Sequence, residues 1–235
     1  MQIKSFLGGA AVAVFLLSAG GADAAQDRTW TKLPPQSFSA RNLVLDHVIA
    51  DVTVNVRDGG QISVEIQGPR FLVNDMHTQN SGGTLSISGP ANDNHNFNVW
   101  DVSKWFDYSD VGGDQRVRVW VSVPRGSDVD AKRMIGDLSI GDTNGHLTVE
   151  TITGDVKVGR VSDARLKVVG GGDISVAGVQ GMLSLDIAGS GDVRVGNVGG
   201  AATITVAGSG DSSISNVGAG LNANIAGPGD VKVGN

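Results

Sequence analysis

The stretch Gly172–Val195, which reads GDISVAGVQGMLSLDIAGSGDVRV, contains the repeat that decides the fold. It holds two Gly-Asp pairs, and such pairs recur at intervals of 18 or 19 residues through the second half of the chain. Their aspartates are Asp137, Asp155, Asp173, Asp192, Asp211 and Asp230. A repeat of this length is typical of a solenoid, in which each unit can bury its apolar face only against its neighbours.

Short strands flank each of these aspartates. Residues one and three positions after the Asp are mostly aliphatic, as in Val156 and Val158, and so are residues seven and five positions before it, as in Leu185 and Ile187. Polar residues stand between them, and this alternation is typical of half-buried strands. Glycine-rich corners separate the strands, since glycine tolerates the backbone angles of tight turns. The sequence therefore predicts an all-β fold, a single-stranded parallel β-helix (solenoid) with coils of 18–19 residues.

The first of these coils departs from the pattern. Glu150 occupies a position that is aliphatic in later coils, and Val149 is displaced from that position by one residue. One extra residue in a strand shifts the alternation in this way, so the sequence predicts a β-bulge or an irregular first turn there.

Stacked coils would place the six aspartates in one column, about 4.8 Å apart, where neighbouring carboxylates repel each other. We expect each Asp to bond to the backbone of its own turn, and the basic residues two positions after some of them to relieve the repulsion. Those basic residues are Lys157, Arg194 and Lys232. Calcium is the alternative, but in calcium-binding β-rolls the Asp does not follow Gly directly as it does here. We therefore predict a structural turn ladder, with no metal site and no cofactor.

The N-terminus has the features of an export signal. An apolar run, Phe6–Leu17, follows a short basic start, and Ala22–Ala24 has the small-x-small pattern of a signal-peptidase site. Residues 1–24 are therefore predicted to be a signal peptide, and the protein to act in the periplasm or at the cell surface of a bacterium. No membrane span is expected after cleavage, and the absence of cysteine excludes disulfides.

Composition argues against several functions. The net charge is −6, and no cluster of Lys and Arg suggests a nucleic-acid partner. The four histidines are scattered, and no Gly-x-Ser-x-Gly elbow is present. We expect no catalytic residues and no enzyme activity. A polysaccharide-cleaving β-helix that uses paired aspartates is the enzymatic alternative.

The chain divides into regions within one predicted domain. Residues 25–235 form that domain, with irregular β coils over about 29–125 and regular Gly-Asp repeats over 126–235. Within the irregular part, residues 91–115 are an insertion rich in aromatic residues. After Trp120 the chain has no aromatic residue.

This insertion supplies the candidate binding residues. Its rings are expected either to cap the solenoid core or to form a platform that stacks on sugars or on the apolar surface of a partner. A self-association interface is a third alternative. The candidate residues are Trp100, Asp101, Trp105, Phe106, Asp107 and Tyr108.

The chain resembles a family of exported bacterial proteins described as "putative auto-transporter adhesin, head GIN domain". The resemblance rests on the strands 50–54, 83–87 and 119–124 and on the Gly-Ser-Gly-Asp segments at 189–195 and 208–211, and it spans about residues 38–235. It implies a β-helix outside the cytoplasm, of unknown function, with a proposed role in adhesion. It implies no catalytic residues.

These observations lead to one functional hypothesis and a structural alternative. The protein is expected to be an exported, adhesin-like binding module that contacts envelope glycans or partner proteins. Alternatively, it is a scaffold that forms homo-oligomers through the open end of the solenoid at Val231–Asn235, where an unpaired strand edge is expected.

Overall fold

A computed structural model describes residues 29–89 and 116–234. Within these residues the chain forms one short helix and strands that lie in two sheets, an 11-stranded sheet A and a 9-stranded sheet B. The strands of sheet A are β1 (Trp30–Lys32), β2 (Gln36–Phe38), β4 (Asp51–Arg57), β5 (Ile62–Pro69), β8 (Arg118–Pro124), β10 (Leu138–Ile140), β12 (Val156–Val161), β14 (Ile174–Val179), β16 (Val193–Val198), β18 (Ser212–Val217) and β20 (Val231–Val233). Those of sheet B are β3 (Asn42–Val48), β6 (His77–Ser81), β7 (Thr84–Gly89), β9 (Val129–Ile135), β11 (Leu147–Thr153), β13 (Ala164–Gly171), β15 (Leu183–Ile187), β17 (Ala202–Ala207) and β19 (Leu221–Ala226). The helix, α1, is Arg70–Val73.

The predicted β-helix is confirmed. From β9 to β20 the chain makes about six turns, and each turn contributes one strand to sheet B and the next to sheet A. Neighbouring turns pair in parallel with equivalent residues opposite each other, so that Val156 pairs with Ile174 and Ile174 with Val193. The backbone N–H and C=O groups of each coil therefore form hydrogen bonds with the coils before and after it.

The core lies between the two sheets and contains the predicted aliphatic columns. Leu138, Val156, Leu166 and Leu185 are almost completely buried, and so are the valines six residues after the aspartates from Val161 to Val198. The pattern changes in the last coil, where Leu221 and Ile225 are exposed although their equivalents in earlier coils are buried.

The predicted irregularity in the first repeat is present. The register of β11 shifts between Thr151 and Thr153 against both of its neighbours. Bends in β3 and β9 place His47 and Arg133 in the left-handed backbone region, with φ of 52° at each. His47 is an extra residue against β7, and Lys132 and Arg133 together lie opposite Glu150 of β11. These bulges precede the corner that leads to sheet A.

The N-terminal region differs from the expectation of coils that follow one another in order. The coil formed by β3 and β4 lies between β7–β8 on one side and β9–β10 on the other, so the spatial order differs from the chain order. Strands β5 and β6 run antiparallel to β8 and β7. Strands β1 and β2 pair antiparallel with β5, and α1 buries Leu72 and Val73.

These elements flank the N-terminal end of the two sheets. In sheet A, β1 and β2 pair with β5 and α1 packs against β5, while β6 is the last described strand of sheet B. Within the described residues, no helix is long and apolar enough to cross a membrane. The predicted signal peptide and the aromatic insertion lie outside the described residues.

Candidate functional site

The column of aspartates forms a hydrogen-bonded ladder across sheet A, at the point where each repeat strand begins. The backbone N–H of each Asp donates to Oδ1 of the Asp in the preceding coil, as from Asp155 to Asp137 at 3.0 Å and from Asp230 to Asp211 at 2.9 Å. The bonds of Asp173, Asp192 and Asp211 have the same geometry at 3.1 Å. The acceptor therefore serves the next coil, which corrects the expectation that it bonds within its own turn.

The glycine before each Asp is required by the stacking of coils. A Cβ atom at Gly172 would clash with the carbonyl oxygen of Gly154, and one at Gly191 with that of Gly172. Gly172 also has φ of 138°, which side chains rarely adopt. The Gly-Asp pair thus combines a close backbone contact with a hydrogen bond between coils.

Asp51 extends this ladder into the N-terminal region, and sequence reasoning missed it. The N–H of Asp137 donates to Asp51 Oδ1 at 3.2 Å, although 86 residues separate the two. Arg116 Nη1 lies 3.5 Å from the same oxygen. The signal was present in the sequence, since Asp51 precedes Val52 and Val54 as the repeat aspartates precede their strands, but Ala50 replaces the glycine.

A second column lies two residues further along each strand, on the outer face of sheet A. Strand pairing places its members opposite one another from coil to coil, and we call this column the axial stripe. Its members, in spatial order, are Trp120, Thr53, Ser139, Lys157, Ser175, Arg194, Ser213 and Lys232.

Serine and a basic residue alternate along the repeat part of the axial stripe. Lys157, Arg194 and Lys232 stand two coils apart, about 9.6 Å if each coil rises by about 4.8 Å. Arg194 lies between two ladder carboxylates, 3.8 Å from Asp173 and 3.5 Å from Asp192. Donors of the stripe and acceptors of the ladder thus run side by side, and the repeat residues of the stripe lie at least partly exposed on this face.

Aromatic side chains stand at the N-terminal end of this face. Trp120 belongs to the stripe and is partly exposed, while Trp30 on the adjoining part of the sheet is 42% exposed. The guanidinium of Arg118 lies 5.8 Å from the ring centroid of Trp30, within the range of a cation–π contact. Lys32 and Glu65 form an ion pair beside them. This end therefore presents flat apolar rings next to charged groups.

The outer face of sheet B has a different character. Several of its charged residues are paired with each other, with Lys132 Nζ 2.6 Å from Asp130 and Lys167 Nζ 3.1 Å from Glu150. Arg133 bonds to Asp46. These pairs are local, and this face has no column of carboxylates beside a column of donors like that of sheet A.

The side chains around His146 do not have the geometry of a catalytic relay. Asp163 Oδ2 and Ser162 Oγ lie 3.0 Å and 3.4 Å from His146, but both contact the same ring nitrogen, Nδ1. A Ser-His-Asp relay needs the serine and the carboxylate on different nitrogens. In the part of the chain that the structure describes, no three His, Asp or Glu residues form a group that could hold a metal ion.

The predicted binding residues all belong to the aromatic insertion. Trp100, Asp101, Trp105, Phe106, Asp107 and Tyr108 lie outside the described residues. Trp30 and the axial stripe were missed as a surface because their proximity depends on the register between strands. The outward position of Trp120 was readable, since it alternates with the buried Val119 and Val121.

Comparison with known proteins agrees with this architecture. The family model described as "putative auto-transporter adhesin, head GIN domain" matches residues 47–235. The chain belongs to this family. The family description is that of an adhesin-like protein and points to export or a surface location. No curated protein matches the sequence.

Solved structures that are similar to this chain are distant from it in sequence. A "putative adhesin" from Bacteroides fragilis is 16% identical, with a TM-score of 0.50 over 86% of this chain and 97% of that one. A "putative adhesin" from Parabacteroides distasonis is 13% identical, with a TM-score of 0.46 over 88% of this chain and 98% of that one. A "putative lipid binding protein" from the same species is 14% identical, with a TM-score of 0.40 over 85% and 96%. At 16% identity, the likeness to the Bacteroides fragilis structure concerns the fold alone.

Proposed function

We propose that this GIN-domain protein is an exported, non-enzymatic binding module that holds a linear, neutral glycan along the outer face of sheet A. The observation that carries the proposal is the axial stripe, a continuous row of hydroxyl, basic and aromatic side chains beside a row of carboxylates. The adhesin-like family supports the broader class of a binding protein outside the cytoplasm. We place its action at the cell envelope or surface.

The shape of the surface favours an extended ligand. Eight positions in register along the axis span about 34 Å at about 4.8 Å per strand. The same two groups, a carboxylate and a donor, recur at every repeat coil. A polymer that lies parallel to the axis would meet equivalent contacts along its length, and two extended sugar units would match the two-coil spacing of the basic residues.

The chemistry favours a neutral sugar chain over a charged polymer. Carboxylates of the ladder accept hydrogen bonds from sugar hydroxyls, while Lys157, Arg194 and the serines donate them. The indole of Trp120 provides a flat face for the C–H side of a sugar ring. A polyanion would be repelled by the seven aspartates from Asp51 to Asp230, which outnumber the basic residues of the stripe.

Binding is tested by isothermal titration of the purified protein with a panel of linear neutral glycans, with an acidic polysaccharide as comparison. We expect saturable binding to a neutral glycan. Trp120→Ala should weaken it at least about tenfold, because the stacking surface is lost, and each 1.4 kcal/mol changes Kd about tenfold. Replacing both Lys157 and Arg194 by Ala should have a similar effect. Lys167→Ala, on the outer face of sheet B, is the matched control and should bind normally.

The alternatives give different results in the same assay. Loss of binding in Trp100→Ala and Trp105→Ala, with normal binding in Trp120→Ala, would move the site to the aromatic insertion. Preference for the acidic polymer would contradict the neutral ligand. Reducing ends released from a bound glycan would contradict the non-enzymatic assignment and favour the aspartate-based alternative.

A further inference from the structure

The last coil exposes the side chains that earlier coils bury. Leu221, Ile225 and Val233 are 44%, 43% and 37% exposed. Strand pairing places them in the columns of Leu183, Ile187 and Val195, which are at most 2% exposed. The end of the hydrophobic core is thus open at β19 and β20, which among the described residues have a paired strand on one side only.

The open edge of β19 also presents free backbone groups at known positions. The carbonyls of Gly220 and Ala226 accept bonds from Ala202 and Gly208, so the backbone groups of even-numbered residues point back into the sheet. Successive residues of a strand direct these groups to opposite sides. Those of Leu221, Ala223 and Ile225 therefore face the open edge.

We propose that this end binds the same end of a second copy of the chain, giving a two-fold symmetric dimer in which sheet B continues from β19 to the β19 of the partner. Head-to-tail stacking is disfavoured because β6, the last described strand of sheet B at the other end, carries only the polar side chains of His77–Ser81 and offers no apolar match for Leu221 and Ile225. The same end of a second copy offers that match, and such isologous contacts are the commonest in homo-oligomers.

The strand is self-complementary in one antiparallel register, centred on Ala223. In this register Ala223 lies opposite Ala223 of the partner, and Leu221 lies opposite Ile225 of the partner. The backbone groups of these residues face the open edge, so these are the hydrogen-bonded pairs. Asn222 then meets Asn224 of the partner, outside the core. The strand carries no charge, and the coil that ends with β20 has one Asp and one Lys, Asp230 and Lys232. Two such ends meet without net charge repulsion.

The oligomeric state is tested by sedimentation equilibrium of the purified protein across a wide concentration range. We expect a monomer–dimer equilibrium for the native chain. Ala223→Pro should shift it to monomer, because proline is tolerated where the N–H faces an open edge and its ring blocks pairing there. Asn224→Ser on the same strand should dimerise normally. Circular dichroism should show that both variants are folded.

Introduced cysteine pairs test the register. The native chain contains no cysteine, so any disulfide must form between the introduced residues. The double variant Asn222→Cys/Asn224→Cys should form a covalent dimer on oxidation, since cross-strand pairs without mutual hydrogen bonds bring Cβ atoms close. Asn224→Cys alone should cross-link poorly. A native monomer at all concentrations, open-ended fibres, or a dimer that survives Ala223→Pro and fails to cross-link would overturn the proposal. These outcomes are independent of glycan binding.

Discussion

The six Gly-Asp coils and the N-terminal region show two ways of building the same pair of sheets. In the coils, each turn stacks on the one before it through the same backbone contacts, including glycine on glycine and an Asp carboxylate on an N–H. In the N-terminal region, strands pair antiparallel and out of chain order, and individual side chains such as Trp30 and Arg118 make contacts that do not repeat from coil to coil. Contacts that recur from one coil to the next thus determine the structure of the repeats, and contacts between distant parts of the chain determine that of the N-terminal region.

Because of this difference, substitutions should change stability in different ways in the two regions. In the repeats, a substitution at a residue that contacts the backbone of the next coil disturbs the coils on both sides. The loss of unfolding free energy then depends on that backbone contact and not on the size of the side chain. In the N-terminal region, turns that face solvent tolerate change, while the strands that close the sheet do not. Single-residue variants in the two regions test this contrast.

Gly172→Ala should strongly destabilise the protein. The new Cβ meets the carbonyl of Gly154, and the positive φ is unfavourable for alanine, so we expect a loss of about 3 kcal/mol or more in unfolding free energy. The adjacent Gly171 has open space where a Cβ atom would lie and is the matched control. Gly60→Ala, in the loop between β4 and β5 of the N-terminal region, should likewise have little effect. Denaturant unfolding of the three variants measures the difference, and equal losses for Gly171 and Gly172 would contradict the stacking rule.

Asp51→Ala should separate the two regions energetically. It leaves the N–H of Asp137 without its acceptor and removes the partner of Arg116, with an expected loss of about 1–2 kcal/mol. Asp51→Asn keeps an oxygen at the same position and should retain most of the stability. Hydrogen exchange at the Asp137 amide is the direct measurement. Protection of this amide in Asp51→Ala equal to that of the native protein would show that the ladder does not join the regions.

Much of the repeat region could be predicted from the sequence because its contacts recur. The inward columns, the corners and the bulge beside Glu150 follow from alternation and spacing. N-terminal strands at 50–54 and 83–87 could also be located, but alternation is the same in parallel and antiparallel strands, so the direction of a strand such as β5 could not be derived. Asp51 was missed because its partner lies far away in the chain. The axial stripe required the register between strands, which no single strand encodes.

Thr143→Val should extend the repeat rule to the coil that adjoins the N-terminal region. Thr143 stands six residues after Asp137, as Val161 stands six after Asp155, and it is fully buried with no hydrogen-bond partner for its hydroxyl. Valine has the same shape without the unsatisfied group, so we expect a gain of about 1 kcal/mol. Thr148→Val, on the outer side of β11, is the control and should give no comparable gain. Thermal unfolding compares the two variants.

Asp75→Asn should have the smallest effect, confined to the N-terminal region and dependent on pH. Partial burial raises the pKa of Asp75 above its ordinary value of 3.8, and nearby His77 partly offsets the rise. Between the ordinary value and the raised one, the folded protein keeps a proton that the unfolded chain has lost, so stability falls as pH rises through this window. The asparagine variant lacks this loss. Its melting temperature should exceed that of the native protein at neutral pH, and the difference should shrink as the pH falls from about 4 to about 3, where Asp75 becomes protonated in both states. A difference that stays constant from about pH 3 to about pH 7 would mean that the substitution acts through packing and not through the charge.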